Sequence, residues 1–451
     1  MTGLRWWPAL LFPVVSCLAQ QKISLSQAID AAAKRYPAVR VSEEQMRAAS
    51  AGVTLARTAW LPRADFITQL NRATRNNVFG LVLPQAVLPG ISGPPNPAND
   101  LTSVWGSAVG FLVSWEPFDF GLRKANLEAA QMAQKRTEAA IERTHQQVAF
   151  MAAEAFLTLV AAEQTRKAAE AQVQRARTVL EVVSSLVRAE LRPGVDEARA
   201  KAEVALAQMQ VIQADQAVRT AQAVLEELTG LQGTPVAEGL LERPPQADKT
   251  AKLEENPAAR EQRAAVEEAQ ARVRAIEKSW YPRFNAQAAS YARGTGARPD
   301  GGVGGAWAGL GPNIYNWAVG MTVTFPALEE PALRARREAE VHRTQAEEAR
   351  YQQILSDLRM QHERAQAAEE AARRVAEQMP AQLEAARAAE QQALARYKAG
   401  LATLVDVADT QRLLTHTEID SALARLNIWR ALLQVAYVRG NIEEFRKQVQ
   451  P

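Results

Sequence analysis

"WLPRADF" (Trp60–Phe66) returns as "WYPRFNA" (Trp280–Ala286) 220 residues later, and the reading of this pair decides the fold. The same offset extends leftward, from Pro37 in "RYPAVR" to Pro257 in "ENPAAR". Rightward it drops to 210: "AVGFLVSW" from Ala108 matches "AVGMTVTF" from Ala318, and "LRPGVD" (Leu191–Asp196) matches "LATLVD" (Leu401–Asp406). Gly230 in "ELTGL" and Gly440 in "YVRGN" keep that spacing. One loop is therefore longer in the first copy, and the chain is a two-fold internal repeat, a feature that governs every other fold inference. The boundaries that follow are a signal peptide over 1–19, a first repeat over 20–230, a linker over 231–256, a second repeat over 257–440 and a tail over 441–451.

Each repeat reads as helix, strand pair, long helix and return helix. Around Trp60 and Trp280 a helical pattern gives way to two-residue alternation, the mark of a strand. Residues 76–106, with "GISGPPNPAND", and the Gly-rich "RGTGARPDGGVGGAWAGLGPN" read as the loops joining the strand pairs. Leu122–Ala189 contains neither Pro nor Gly, so one helix of roughly 100 Å is allowed. Its apolar positions Ile141, Val148, Ala155, Ala162, Ala169, Ala176 and Val183 run in sevens, which keeps one seam against a partner helix. Alanine at most of these positions implies close helix packing. "LRPGVD" and "LATLVD" are the turns into the return helices, and Thr403-x-x-Asp406 fits a capping box.

Composition narrows the function. The 53 basic and 50 acidic residues leave a net charge of only +3, so no nucleic-acid-binding field is implied. The four histidines (His145, His342, His362, His416) are scattered and the only cysteine is Cys17, which leaves no ligand set at metal spacing and no disulfide framework. No Gly-rich loop passes from strand to helix as phosphate binding requires. Catalytic, cofactor and metal residues are thus not expected. Arg5 followed by "WWPALLFPVV" reads as an export signal. Two processing readings stand open: a lipobox-like Val14-Val15-Ser16 before an acylated Cys17, or a small-x-small site, Cys17-Leu18-Ala19, cut before Gln20. Either carries the chain out of the cytoplasm.

Four strands per chain cannot close a barrel, and an open four-stranded sheet leaves two bare edges. Trp60, Trp105, Trp115, Trp280, Tyr281, Trp307 and Trp317 lie near the strand ends, where a membrane-interface girdle is expected. Three chains would supply twelve strands. The longest apolar stretch after the signal, Val148–Ala162, is 15 residues and contains Glu154, short of a membrane-spanning helix. These features point to an outer membrane, in contact with its lipid, in a diderm bacterium. The competing reading is a soluble periplasmic coiled-coil adaptor or scaffold whose small sheet caps a bundle.

Element order, repeat offset and the stretch "YKAGLATLVDVADTQRLL" from Tyr397 resemble the TolC-like outer-membrane efflux protein family over essentially the whole mature chain. That resemblance implies a homotrimer with a twelve-stranded β-barrel and long periplasmic α-helical hairpins forming a tunnel. It also implies a periplasmic adaptor (membrane fusion) partner, an inner-membrane pump reached through it, and passive conduction in efflux or type I secretion. With no Met or His ladder to suggest a metal route, small molecules are favoured over proteins as cargo. The adaptor would dock on the turns: Leu191, Gly194, Val195 and Asp196 in the first, Gly400, Leu401, Thr403, Val405 and Asp406 in the second. Glu190 and Pro193 stand in the first turn where the second has Gly400 and Thr403, so equivalent docking there is not implied. In the family, acidic residues near the end of the second long helix ring the pore, and Glu390 is the nearest acid to that level.

Overall fold

The computed structural model describes residues 22–74, 102–236, 240, 252–298 and 302–449. The signal segment with Cys17, and most of the 76–106 loop, lie outside them. In chain order the elements are β1 (Lys22–Ile23), α1 (Leu25–Arg35), α2 (Pro37–Thr58), β2 (Arg63–Thr74), β3 (Ser103–Phe118), α3 (Leu122–Arg188) and α4 (Gly194–Thr229). They continue with β4 (Thr234–Pro235), a 3₁₀ turn (Leu253–Glu255), α5 (Pro257–Lys278), β5 (Arg283–Thr295) and β6 (Ile314–Thr324). The last three are α6 (Glu330–Lys398), α7 (Leu404–Arg439) and α8 (Ile442–Val449), with α6 continuing through Pro380. The two repeats correspond element for element in this order, from α2 and α5 through α4 and α7.

The chain divides into two compact units. The helical unit holds residues 1–43, 140–260 and 354–451. Its core centres on Phe156, Leu157, Leu159 and Val160 of α3, which meet Ile23, Leu25, Leu225, Trp429, Leu433 and Phe445. By length and composition α3 contains one 18-residue window apolar enough to cross a membrane, but 56% of that window is buried inside the protein. It is a core helix, and the apolar-stretch criterion alone would have missed it. The seven-residue spacing is visible in burial: Val148, Ala155, Ala169, Ala176 and Val183 are enclosed, while Ile141 and Ala162 are half-buried.

Equivalent ends of the repeats close in equivalent ways. Gly230 and Gly440 both adopt left-handed φ, +68° and +82°, and end α4 and α7. A side chain at Gly440 would strike Pro257 and the Asn256 backbone, so that position requires glycine for space as well as φ, whereas at Gly230 the requirement is the left-handed φ, since only the Arg35 guanidinium stands close. Two elements were not visible in the periodicity. β4, in the linker, pairs in parallel with β1. The tail folds as α8, burying Ile442 and Phe445 and setting Phe445 edge-on to Trp429. Trp429 Nε1 also donates to the Leu240 carbonyl at 2.6 Å, fixing the linker to α7.

The sheet unit holds residues 44–139 and 261–353. Its four strands are antiparallel throughout, in the order β2-β3-β5-β6. Residues align across the sheet, for example Phe66↔Phe111↔Ser290↔Trp317 and Ala64↔Val113↔Ala288↔Val319, and the β3–β5 register shifts once, between Trp115 and Phe118. β2 and β6 are its two edges.

Candidate functional site

Two places carry the chemistry, one in each unit. The first is the sheet. Directly paired residues of antiparallel strands share a face, so register sorts the side chains. One face presents Phe66, Leu70, Phe111, Val113, Trp115, Tyr315, Trp317, Val319, Met321 and Val323, all exposed. Trp317 is 78% and Val319 72% accessible. The opposite face is mostly small or polar, with Asp65, Gln69, Asn71, Asn285, Gln287, Asn316 and Thr322 on it; Ile67, Tyr291 and Ile314 are larger side chains there, and Leu112 and Ala289 are buried on it. A soluble sheet hides its apolar face; this one displays it, a pattern suited to lipid outside and water inside.

Aromatic residues bound that face at both ends. At the helix-bearing end, Trp115 Nε1 donates to the Trp60 carbonyl at 3.1 Å. The Arg123 guanidinium lies over the Trp60 ring at 5.6 Å and is held by the buried Asp119 carboxylate at 2.9 Å. In the second copy Trp280 packs edge-on against Phe325, and Tyr281 stacks on Phe120 at 5.5 Å. Trp105, Tyr315 and Trp317 lie toward the loop-bearing end, with Trp307 exposed in the connecting loop. From Trp115 to Trp105 along β3 is about 34 Å at ~3.4 Å per residue. Tilted by ~40°, that spans about 26 Å, close to the height of an outer-membrane apolar band.

The second place is the pair of turns in the helical unit. After α3, Glu190 N–H donates to Val187 O and Leu191 N–H to Leu186 O, at 3.0 and 2.9 Å. After α6, Gly400 N–H donates to Tyr397 O and Leu401 N–H to Arg396 O, at 3.0 and 2.8 Å. The two sets are related by the repeat offset, and both are the reverse hydrogen bonds that end a helix at a left-handed residue. That residue is Gly400 (φ +80°) in one turn and Glu190 (φ +58°) in the other. Leu191 and Val195, like Leu401 and Val405, project from the turns, with Leu191 and Leu401 69% and 70% accessible. Gly194 is exposed as well.

The turns diverge at the start of the return helix. Thr403 Oγ1 accepts from Asp406 N–H at 3.3 Å, and the Asp406 carboxylate accepts from Thr403 N–H and Oγ1 at 2.8 Å. These bonds hold the Asp406 carboxyl below the usual carboxylate range. Pro193 offers no side-chain cap, and Asp196 is used differently: it accepts from Tyr397 Oη at 3.2 Å. Arg192 donates to the Tyr397 and Ala402 carbonyls at 2.8 and 3.4 Å and lies over the Tyr397 ring at 4.6 Å. Tyr397 is fully buried among Val183, Leu404 and Val407. Burial, then the Asp196 carboxylate, push its phenol pKa up. The first turn thus grips the second through Arg192 and Asp196. Arg192 and Tyr397 escaped sequence reasoning, although a signal existed: the repeat sets Tyr397 against Val187 and Arg192 against Ala402.

Glu390 is half-buried on α6 and accepts from Gln411 Nε2 of α7 at 3.3 Å. Among the described residues no group of three or more His, Cys, Asp or Glu side chains stands close enough to hold a metal ion.

The architecture has known counterparts. The family model described as outer membrane efflux protein matches residues 28–231 and 250–441. Among solved structures, the outer-membrane channel OprN is 20% identical, with a TM-score of 0.73 over 92% of this chain and 90% of that one. The outer membrane protein VceC of Vibrio cholerae is 16% identical, with a TM-score of 0.71 over 92% and 96% of the two chains. The CmeC outer membrane channel of Campylobacter jejuni is 14% identical, with a TM-score of 0.73 over 94% and 89%. No curated protein matches the chain.

Proposed function

The chain belongs to the outer membrane efflux protein family, and from that premise we propose that it is the trimeric exit duct of a tripartite efflux or type I secretion system. It would pass substrates passively from a pump–adaptor complex to the exterior, with small molecules favoured over proteins as cargo. The observation that carries this reading is the exposed apolar face of the four-stranded sheet, bounded by aromatic residues and flanked by two unpaired edges. Joining β6 of one copy to β2 of the next removes both edges. Three copies related by a closed three-fold axis give twelve strands, enough to enclose a channel. Apolar side chains then meet lipid, and the small and polar face lines the lumen.

The soluble-scaffold reading gives that face no partner. Separation of the outer membrane from soluble periplasm, followed by mass measurement in detergent, distinguishes the two. A trimer in the outer-membrane fraction is expected; a water-soluble monomer would end the duct proposal. The adaptor partner is proposed to dock on Leu401 and Val405 around Gly400, with Leu191, Gly194 and Val195 as the equivalent surface of the first turn. Glu390 is proposed as the pore-constriction carboxylate, three copies of which would favour cations by Coulomb attraction. Single-channel recording of Glu390→Gln should show reduced cation selectivity, and an unchanged reversal potential would remove Glu390 from the gate.

A further inference from the structure

Arg72 lies on β2 two residues beyond Leu70, on the same apolar face as Phe66 and Leu70 and opposite Trp105 in the β2–β3 register. Its neighbour Asn71 points to the other face, where a side chain at Gly106 would strike it. An arginine on an apolar sheet face needs an anion or water at its head group. Two contacts fix this one. Its guanidinium carbon sits 5.2 Å from the Trp105 ring centre, and its Nε donates to Ser103 Oγ at 3.0 Å. Its terminal nitrogens make no bond among the described residues, and the side chain is exposed.

The geometry points to a headgroup site: we propose that Arg72, braced on Trp105, binds a phosphate of the phosphorylated saccharide headgroup of outer-leaflet lipopolysaccharide. The inference rests on the reading that the apolar sheet face meets lipid. Arg72 stands at the upper aromatic level, where hydrocarbon gives way to headgroups. Below it Leu70 and Phe66 offer apolar surface to acyl chains. A guanidinium whose Nε is already committed presents its two terminal nitrogens as a fork, the geometry that bridges two phosphate oxygens. Stacking on indole strengthens the cation's hold in a partly dry setting. The loop-bearing end of the sheet is opposite the end that carries the helices, so with the helices periplasmic it faces the exterior leaflet. That placement, with the cationic charge, selects the glycolipid over an inner-leaflet glycerophospholipid.

The test uses the purified full-length trimer in detergent, titrated separately with bisphosphorylated lipid A, dephosphorylated lipid A and phosphatidylglycerol, and read by thermal unfolding. Wild type should be stabilised at the lowest concentration by the bisphosphorylated lipid. Arg72→Gln should raise the half-saturating concentration at least tenfold, Arg72→Lys should fall between, and Lys278→Gln at the other end should leave it unchanged. The proposal is overturned if Arg72→Gln responds as wild type does, or if the dephosphorylated lipid works equally well. Equal and Arg72-dependent stabilisation by phosphatidylglycerol would overturn the choice of glycolipid. Wild-type protein that is monodisperse without detergent would instead remove the lipid-facing reading itself.

Discussion

At the ends of α3 and α6 the chain turns twice along one backbone path, with matching reverse hydrogen bonds and a left-handed residue at the same step. Duplication preserved that path and let the side chains part. The second turn has glycine at the left-handed step and a reciprocal Thr403–Asp406 cap. The first has Glu190 there, Pro193 where the cap would be, and an arginine that reaches across to its twin. Backbone geometry is therefore the shared requirement. What each turn presents to a partner, or to the other turn, is free to diverge. The self-capped second turn leaves Leu401 and Val405 free for the docking proposed above, whereas the first commits Arg192 and Asp196 to holding the pair together.

Gly400→Glu puts the largest strain on this comparison, because it makes the second turn resemble the first. A Cβ at Gly400 meets nothing within 4 Å, and Glu190 shows that a glutamate can occupy this φ. The folding penalty is therefore limited to about 1 kcal/mol for a left-handed non-glycine residue. The proposed trimer should assemble normally, while the proposed export falls to the level of a strain lacking the gene, measured as susceptibility to a panel of small toxic compounds. Wild-type export with normal expression would mean that docking does not use this turn.

The next effect is smaller and sharpens the asymmetry of the caps. Thr403→Ala should cost about 1 kcal/mol, the usual worth of an N-terminal helix cap, whereas Pro193→Ala should change stability little because Pro193 caps nothing through its side chain. Protonation provides a second readout. The folded-state pKa of Asp406 lies below that of an ordinary aspartate, so its contribution is present above the unfolded pKa and is lost as pH falls through the lower folded value. Thr403→Ala should shrink this acid dependence. Denaturation midpoints at pH 7 and near pH 3 test both points, and an unaltered acid dependence would detach the depressed pKa from Thr403.

Most of the fold was legible because repetition and periodicity are written in many residues at once. The 220 and 210 offsets located the helix-to-strand corners and the turns, and the sevens from Val148 to Val183 located the seam. β1 with β4, and α8, were not legible. A two-residue strand has too few positions for alternation, and α8 is held by tertiary contacts of Ile442, Phe445 and Arg446 rather than by its own length. At the turns the exposed knobs and the Thr403 cap could be read from local spacing. The Arg192–Tyr397 grip could not, because it joins residues 205 apart that local patterns do not connect. The same limit applies to the sheet, where alternation identified strands but only register showed that Tyr315, Trp317, Val319, Met321 and Val323 of β6 share the face of Phe66 and Phe111.

The smallest effect expected from the comparison is that of Glu190→Gly, which makes the first turn resemble the second. Two terms oppose each other. Glycine removes the left-handed strain carried by Glu190, about 1 kcal/mol. It also loosens the unfolded chain, which costs about 0.5–1 kcal/mol. Glu190 is exposed, so little else is lost. Net stability should move by a few tenths of a kcal/mol and export should be unchanged. Adding Glu190→Gly to Gly400→Glu, which exchanges the two residues, should fail to restore export, since Arg192 and Pro193 still distinguish the first turn. A double variant that exports normally would show that the turns are interchangeable, and that a single glycine, rather than the whole second turn, is what the partner requires.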